Sequence, residues 1–473
     1  MTRRALLQVA AVAALAALAR GLMTGGLELY SDEAYYWLWS RRLAAGYFDH
    51  PPMVAWLAAL GTSFSGTEAW LRLPFVICGG LAVLFAGLCA GELSDDPRAP
   101  AWGALLAAAA PLLSLTGALC LPDAPAEAAY AAAGWLLARA RGRSWLWAGL
   151  AVGLALLSKY TAALLAPALV LLVPWDPELR RELRRPWPWL GGALAVALFL
   201  PVLRWNAAHG WDSLRFQLHH GFGHGASVRS FGEYVGGQLV GAGPVALALG
   251  IAFLVRARTS AQKRLAAAAL LPLLVTTWSA LRGPVEVNWP SLAYPLLCAA
   301  AGAGLCELRE PLARRLLALS LALGLVLVAA FGKEERRPVL LAGTAAAERF
   351  HGWRAFAAEA RAAAARACAE VGCDAAAPFV YASSYQLAGE LAFYAGWRRL
   401  GLTAERPSQL DVWGDAPRPG EPFLVLDDGE VPAAFRARVR AEGEGRTHRF
   451  LAPWPGAARK GSVTGFGRYL GPR

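Results

Sequence analysis

The sequence predicts an α-helical polytopic membrane protein of about eleven spans that carries a small α/β domain at its C-terminal end. Three observations lead there. The 473 residues are 56% hydrophobic and only 17% charged, with a mean hydropathy of +0.38, the balance of a membrane protein rather than a soluble one. Apolar segments of span length recur as far as Phe331. Beyond it the composition changes, and residues 333–473 are numerous enough for a folded domain of their own.

At about 17–25 apolar residues per span, the pattern predicts helices near 6–22, 71–90, 101–119, 124–138, 188–203, 235–255, 265–281, 289–305 and 316–331. The stretch 145–173 is too long for one ordinary helix and is interrupted by Ser158, Lys159 and Tyr160. It reads either as one strongly tilted span or as two short helices meeting at a polar break. Basic residues decide. If the N-terminus is cytoplasmic and 145–173 enters and returns, the inner segments hold 17 basic residues, Arg180, Arg181, Arg184 and Arg185 among them, against 7 in the outer loops. The net charge of +12 is then a topology signal, which excludes nucleic acid as a partner.

The first helix has a basic start and an Ala-rich core, which also fits a cleavable signal peptide. Its apolar run continues to Leu22 without a clear cleavage site, so it is expected to be retained. The domain boundary is expected at 1–332 and 333–473. In the second part, 378–383 and 422–428 read as strands, and 353–370 and 385–394 as helices. Cys78, Cys89, Cys120, Cys298 and Cys306 fall in or beside apolar spans and read as packing residues. Cys368 and Cys373 could join in an oxidising compartment, which spacing alone leaves open.

This topology gathers Asp32, Glu33, Asp49, His50, Asp123, His219, His220, His224, Glu286 and Asn288 on the outer face, with Lys159 at the apex of the broken hairpin. Charged groups at bilayer depth are costly, so such a cluster points to a reactive polar substrate. Each residue also has an ordinary reading. Asp32 and Glu33 at a helix start would favour its dipole, although the aromatic run opened by Tyr35 and Tyr36 suits a sugar or a lipid. Asp49, His50, Pro51 and Pro52 form a rigid turn that could simply open a helix, and Asp123 in LPDAP would serve as an N-cap. The spacing of His219, His220 and His224 matches no helical zinc pattern and reads as a wet loop lining the cleft. The glycines of GGQLVGAG (236–243) suggest close helix packing within a span.

Taken in order, SDEAYYWLWS, GYFDHPPMVAWL, RLP at 72–74, LPDAP, LSKYTA and NWPSLAYP resemble the polyprenyl-phosphate-sugar-dependent glycosyltransferases of the GT-C fold. The likeness is to the glycosyltransferase family 39 group, with its protein mannosyltransferase-like members, the lipid A aminoarabinose transferase and the lipopolysaccharide-core galacturonosyltransferases. It covers most of 1–331. The resemblance implies that Asp32, beside Glu33, lies at the reaction centre with Asp123, and that Lys159 meets the lipid phosphate, with His50 and Arg72 nearby. Tyr35, Tyr36, Asp49, His219, His220, Asn288 and Tyr294 are then substrate-lining residues. Several relatives carry Lys where this chain has His50, and some carry a basic residue in the region of Asn288.

The implied reaction is one inverting displacement, from a polyprenyl-phosphate-linked sugar donor to a glycolipid, glycan or protein acceptor. It would take place among membrane lipids, on the periplasmic face of a bacterial inner membrane. Fixed cations would stabilise the departing lipid phosphate, and Asp32 would take the acceptor's proton if that acceptor is a hydroxyl. A divalent metal ion is a further possibility, because the acids and histidines offer hard ligands. Two alternatives stand beside this reading: a transporter or flippase of a polyprenyl-linked sugar, and a non-catalytic envelope assembly protein. The flippase predicts an internal repeat and groups reachable from both faces. The chain shows no repeat, and its acids gather on one side.

Overall fold

The computed structural model of the chain describes residues 1–24, 27–221, 225, 227–336, 349–404, 406–427, 431–454 and 457–472, with 220 and 331–336 described through their backbone alone. The apolar pattern becomes helix wherever no proline or glycine interrupts it. Thus α1 (Arg3–Thr24), α4 (Glu68–Leu93), α11 (Pro186–Ala208) and α17 (Glu310–Arg336) cover the spans expected at 6–22, 71–90, 188–203 and 316–331. At a rise of about 1.5 Å per residue, each reaches across a hydrocarbon core of about 30 Å.

Interrupted runs behave differently. The run 101–119 divides into α5 (Ala99–Ala109) and α6 (Pro111–Thr116), because Ala110, held extended before a proline, cannot continue the helix. The run expected as one span at 235–255 is broken between α13 (Val228–Ala242) and α14 (Pro244–Leu254), which meet at 94°. Gly243 takes φ +85° at the corner, a conformation open to glycine, and Pro244 begins the next helix. The last glycine of GGQLVGAG therefore makes a corner instead of a packing face. The helix expected at 289–305 starts as a 3₁₀ turn, Ser291–Ala293, leading into α16 (Tyr294–Cys306). Among the described residues four single helices are long and apolar enough to cross a bilayer, or five if the bent pair counts as one. The expected eleven spans counted nine apolar runs as continuous and 145–173 as a pair, whereas five further apolar helices among the described residues measure only 10–17 residues.

Contacts within the chain separate it into two units, one of Met1–Gly25, Ala44–Ser65 and Ala69–Ala330, the other of Gly26–Leu43, Gly66–Glu68 and Phe331–Arg473. Two segments upstream of the expected boundary at 332 belong to the second unit: Gly26–Leu43, which holds Asp32 and Glu33, and Gly66–Glu68. In the first unit, α7 (Asp123–Ala138) packs against α8 (Ser144–Ser158), and α8 against α11. The α8–α11 approach depends on glycine. A Cβ on Gly149 would lie 2.1 Å from the Gly191 carbonyl oxygen, and one on Gly191 would lie 2.3 Å from that of Trp145. Small residues at such crossings give membrane helices the close packing that a solvent-driven hydrophobic effect does not supply there. At the C-terminal end of α7, buried Arg264 in α15 (Ser260–Ala280) bonds the Leu137 carbonyl and pairs with Asp176 at 2.8 Å. Asp176 in turn caps α10 (Pro177–Glu182).

In the second unit, α2 (Ser31–Ser40) packs on α19 (Tyr385–Glu390) through Gly389, whose Cβ would lie 2.6 Å from the Tyr35 backbone nitrogen. A five-stranded sheet in the order β2-β1-β3-β5-β4 forms the rest of the core. Strands β1 (Phe379–Ala382), β2 (Arg399–Leu402) and β3 (Phe423–Asp427) are parallel; β5 (Ala457–Pro472) runs antiparallel to β3 and to β4 (Val439–Trp454). Helix α18 (Trp353–Val371) lies on β4 and β5 and carries in its last turn Cys368, which is disulfide-bonded to Cys373. The strands expected at 378–383 and 422–428 are β1 and β3, whereas the long β4–β5 hairpin was not expected.

Candidate functional site

The stretch 145–173 forms two helical pieces, α8 and α9 (Leu165–Leu172), with a 3₁₀ turn at Tyr160–Leu164 between them. Lys159 is the extended residue at the break, with φ −146° and ψ 135°. Its ammonium turns into the bundle, donating to Asp123 Oδ1 at 2.7 Å and to the Asn288 backbone carbonyl at 3.0 Å. Three polar interruptions of the apolar sequence, LPDAP, LSKYTA and NWPS, therefore meet at one carboxylate. The Asn288 amide donates to both Asp123 oxygens, at 3.1 and 3.2 Å, and the Ser291 hydroxyl donates to Oδ1 at 3.2 Å.

The N-cap reading of Asp123 is corrected here. Pro122 occupies the cap of α7, and the Asp123 side chain makes no capping bond. Its carboxylate is a tertiary acceptor, buried and surrounded by donors, the condition under which a charge can be held away from water.

One turn further along α7 lies Glu127, which sequence reasoning passed over. It is 0% exposed, accepts from the Thr116 hydroxyl at 2.9 Å and shares the Ser291 hydroxyl with Asp123. It interacts electrostatically, with no hydrogen bond between them, with Arg20, buried near the end of α1, whose Nη1 and Nη2 have no hydrogen-bond partner among the described residues. That guanidinium lies where two chain segments have no side chains: a Cβ on Gly79 or Gly117 would come 2.9 or 3.0 Å from Nη1. Two acids at i and i+4 on α7 and two bases, from α1 and the α8–α9 break, thus gather in one buried cluster.

Other expected residues divide between site and scaffold. Asp49 is buried in the DHPP turn, where its backbone carbonyl accepts from Gln217 at 2.5 Å, and His50 is half-buried. Pro52 caps α3 (Met53–Thr62), so the turn does open a helix. Arg72, expected beside a phosphate, is 1% exposed and donates to the Thr24 carbonyl at 2.9 Å, which secures the end of α1. Tyr294 is fully buried, and its hydroxyl donates to Gln238. His219 is exposed on α12 (Asp212–Gly221), a helix where a loop was expected; the His220 side chain and all of His224 lie outside the described residues. Among the described residues no group of three or more His, Cys, Asp and Glu side chains is placed to hold a metal.

In the second unit the two adjacent acids part company. Glu33 is buried at the third position of α2 and accepts from the Tyr30 backbone N–H at 2.9 Å, the bond of a helix start. Asp32 is half-exposed, with the Gln386 amide 3.5 Å away. Tyr35, 1% exposed, packs on Trp39 and Tyr385 and accepts from the Gln409 backbone N–H at 2.8 Å, so it belongs to the core of its unit. Tyr36 is buried with its ring edge-on to Trp39.

Comparison with known proteins bears on this arrangement. Residues 49–205 match the family described as dolichyl-phosphate-mannose-protein mannosyltransferase. The chain is 27% identical over 282 residues to the lipid A galacturonosyltransferase RgtD of Rhizobium johnstonii, covering 56% of this chain and 58% of that protein. It is 32% identical over 175 residues to the undecaprenyl phosphate-alpha-4-amino-4-deoxy-L-arabinose arabinosyl transferase of Pseudomonas savastanoi pv. phaseolicola, covering 35% and 32%. The match to the lipopolysaccharide core galacturonosyltransferase RgtA of Rhizobium johnstonii, 32% over 197 residues, covers 39% and 38%. The chain thus spans between about a third and 58% of the length of these relatives. The crystal structure of ArnT from Cupriavidus metallidurans bound to undecaprenyl phosphate superposes with a TM-score of 0.66 over 96% of this chain and 97% of that one, at 16% identity, which shows the fold. This multi-pass membrane chain thus has the fold of ArnT along nearly its whole length, and over part of that length it is similar in sequence to lipid A and lipopolysaccharide core galacturonosyltransferases.

Proposed function

We propose that the chain transfers a sugar from a polyprenyl-phosphate carrier to a lipid A or lipopolysaccharide-core type of glycolipid on the periplasmic face of an inner membrane. The observation that carries this reading is the ammonium of Lys159, held at a break in an apolar helix pair by Asp123 and the Asn288 carbonyl. An ammonium has three N–H groups. Two are engaged in the protein, and the third is the one a phosphate oxygen of the carrier would take. Asp123 fixes the ammonium in place, so the charge that meets the departing phosphate needs no reorganisation, an effect worth about 3–4 kcal/mol per well-placed donor. His50 is the second proposed contact to the phosphate, contributing charge only in its protonated form.

Asp32 is the proposed base, as the acid of its pair that stays half-exposed while Glu33 holds the start of α2. Removal of a hydroxyl proton by a placed carboxylate contributes about 10²–10⁴ in rate. Attack on the anomeric carbon with loss of the lipid phosphate inverts that centre in one step. The outward orientation draws support from the excess of basic residues in the inner segments and from the Cys368–Cys373 disulfide, which suits an oxidising compartment.

The test is sugar transfer in membranes holding the wild-type chain, Asp32→Asn or Lys159→Met, supplied with radiolabelled polyprenyl-phosphate sugars and a lipid A and core-glycolipid extract. Carrier-dependent labelling that both substitutions abolish, with the protein still folded, is the expected result. Equal labelling in wild type and variants would remove the two residues from the chemistry. Movement of labelled carrier across sealed vesicles without transfer would establish the flippase instead.

A further inference from the structure

The second unit holds a cleft that the reaction above does not use. Arg41 and Arg42, directly after α2, and Arg398, directly before β2, line a cavity of about 400 Å³ together with Trp413, Asp415 and a floor of Leu38, Leu400 and Leu410. That volume lies within the range of small-molecule sites. The three guanidiniums face one carboxylate. Arg42 pairs with Asp415 at 2.5 Å and lies over the Trp413 ring at 4.7 Å. Arg41 and Arg398 both lie over the Trp37 ring, at 5.8 and 5.5 Å, and among the described residues neither has an acidic partner.

An excess of two positive charges would repel itself in an unoccupied cleft, and stacking on tryptophan holds both guanidiniums without neutralising them. A guanidinium so held presents its paired N–H groups to a planar or tetrahedral oxyanion. The indole and the leucine floor add the apolar surface that a sugar ring's C–H face takes. The cleft is therefore suited to an oxyanion carried on a saccharide.

We propose that this cleft binds a phosphate or carboxylate of the acceptor glycolipid, an inference that rests on the transferase reading for the word acceptor. The carrier phosphate is a poor fit here, because its polyprenyl tail needs a long apolar path and the lining offers three leucines. The phosphate of an amphiphilic saccharide is attached to the ring itself and can enter with it.

The experiment is direct binding of bis-phosphorylated lipid A to the purified full chain in detergent, compared with the same lipid after phosphatase treatment and with phosphatidylglycerol. The proteins are wild type, Arg41→Ala/Arg398→Ala and Arg41→Lys/Arg398→Lys. Both arginines are exposed, and the lysine pair keeps the charge if the alanine pair disturbs the fold. The alanine pair should weaken binding of bis-phosphorylated lipid A by about tenfold or more, the loss of a charge-assisted hydrogen bond. The lysine pair should recover part of it, and the dephosphorylated lipid should bind all three proteins alike. Equal binding of bis-phosphorylated lipid A by wild type and the alanine pair overturns the inference. So does an arginine dependence as large for phosphatidylglycerol, which would make the cleft a general headgroup site. Binding needs no donor and no turnover, so the two readings fail separately. Arginine-dependent lipid A binding by a chain that transfers no sugar would sink the transferase and leave the cleft. Transfer with an unchanged acceptor KM in the alanine pair would sink the cleft alone.

Discussion

Lys159 Nζ lies 2.7 Å from Asp123 Oδ1, and the two side chains are 7% and 2% exposed, so the ion pair is removed from water almost completely. Removing one member of such a pair strands the other, at about 3–5 kcal/mol, whereas replacing both with uncharged groups of similar shape can be close to neutral. We therefore expect Lys159→Met and Asp123→Asn to lower the unfolding temperature of the detergent-solubilised protein when made singly. The double variant should recover much of that stability without recovering sugar transfer. A double variant that transfers sugar at the wild-type rate would show the pair to be structural alone.

Arg20 and Glu127 make the same kind of prediction one turn further along α7. Arg20→Met removes a buried positive charge that interacts with Glu127 but also two nitrogens without a hydrogen-bond partner among the described residues, so it should cost less than breaking a hydrogen-bonded buried pair, about 3–5 kcal/mol. Glu127→Gln, which keeps an acceptor for the Thr116 hydroxyl, should cost less still. A double-mutant cycle on thermal or denaturant unfolding should return a coupling of about 0.5–3 kcal/mol. Additive effects would show that the two groups do not sense each other.

What the sequence revealed of this cluster follows from contrast. Asp123, Lys159 and Asn288 were visible because each stands in a short polar motif that interrupts apolar sequence. Glu127 sits in AEAAY within an Ala-rich helix, where a lone acid passes for a solvent-facing residue. The available signal was its i+4 spacing from Asp123 on a segment too apolar to face water. Arg20 was hidden by position, since a basic residue near a helix end reads as a topology marker. The corner at Gly243–Pro244 and the break at Ala110–Pro111 were both legible in principle from the residue preceding proline.

The β4–β5 hairpin had no such signal. Strand β4 alternates charge with small residues instead of hydrophobic with polar, and β5 is rich in glycine. Those glycines receive partner side chains: the Phe450 ring on β4 lies where a Cβ of Gly461 would be, and Val371 of α18 covers Gly465. The pattern makes sense only once the partner is known. The same holds for Asp32 and Glu33, which the sequence presents as equals and which only the start of α2 distinguishes.

Gly389 controls how α2 is held. Its Cβ would meet the backbone of Tyr35 at 2.6 Å and of Ala34 at 2.7 Å, and backbone cannot turn aside as the end of a side chain can. Gly389→Ala should displace α2 from α19 at a cost of about 1–3 kcal/mol, the usual range for overpacking. Because Asp32 rides on α2, transfer should fall with it. Limited proteolysis at the ends of α2 reads the displacement, and cleavage unchanged from wild type would show that the contact relaxes without moving the helix.

Glu421 supplies a pH dependence whose sign can be worked out. It accepts two N–H groups of Arg399, one of them at 2.8 Å, and the Arg418 backbone N–H at 2.7 Å, and these bonds, the arginine's above all, hold its carboxyl down at about 2. A carboxylate whose folded value lies below the unfolded one stabilises the fold above the unfolded value, near 4.5, and loses that contribution as pH falls through about 2. The pair is partly exposed, so solvent screening limits it to about 0.2–1 kcal/mol. Between pH 7 and pH 5 the unfolding midpoint followed by tryptophan fluorescence should therefore be unaffected by this group. Between about pH 4.5 and 2 the wild type should lose its advantage over Arg399→Met, whose Glu421 titrates nearer its ordinary value. Parallel acid profiles for the two proteins would show that the bidentate pair does not set the acid stability of this unit.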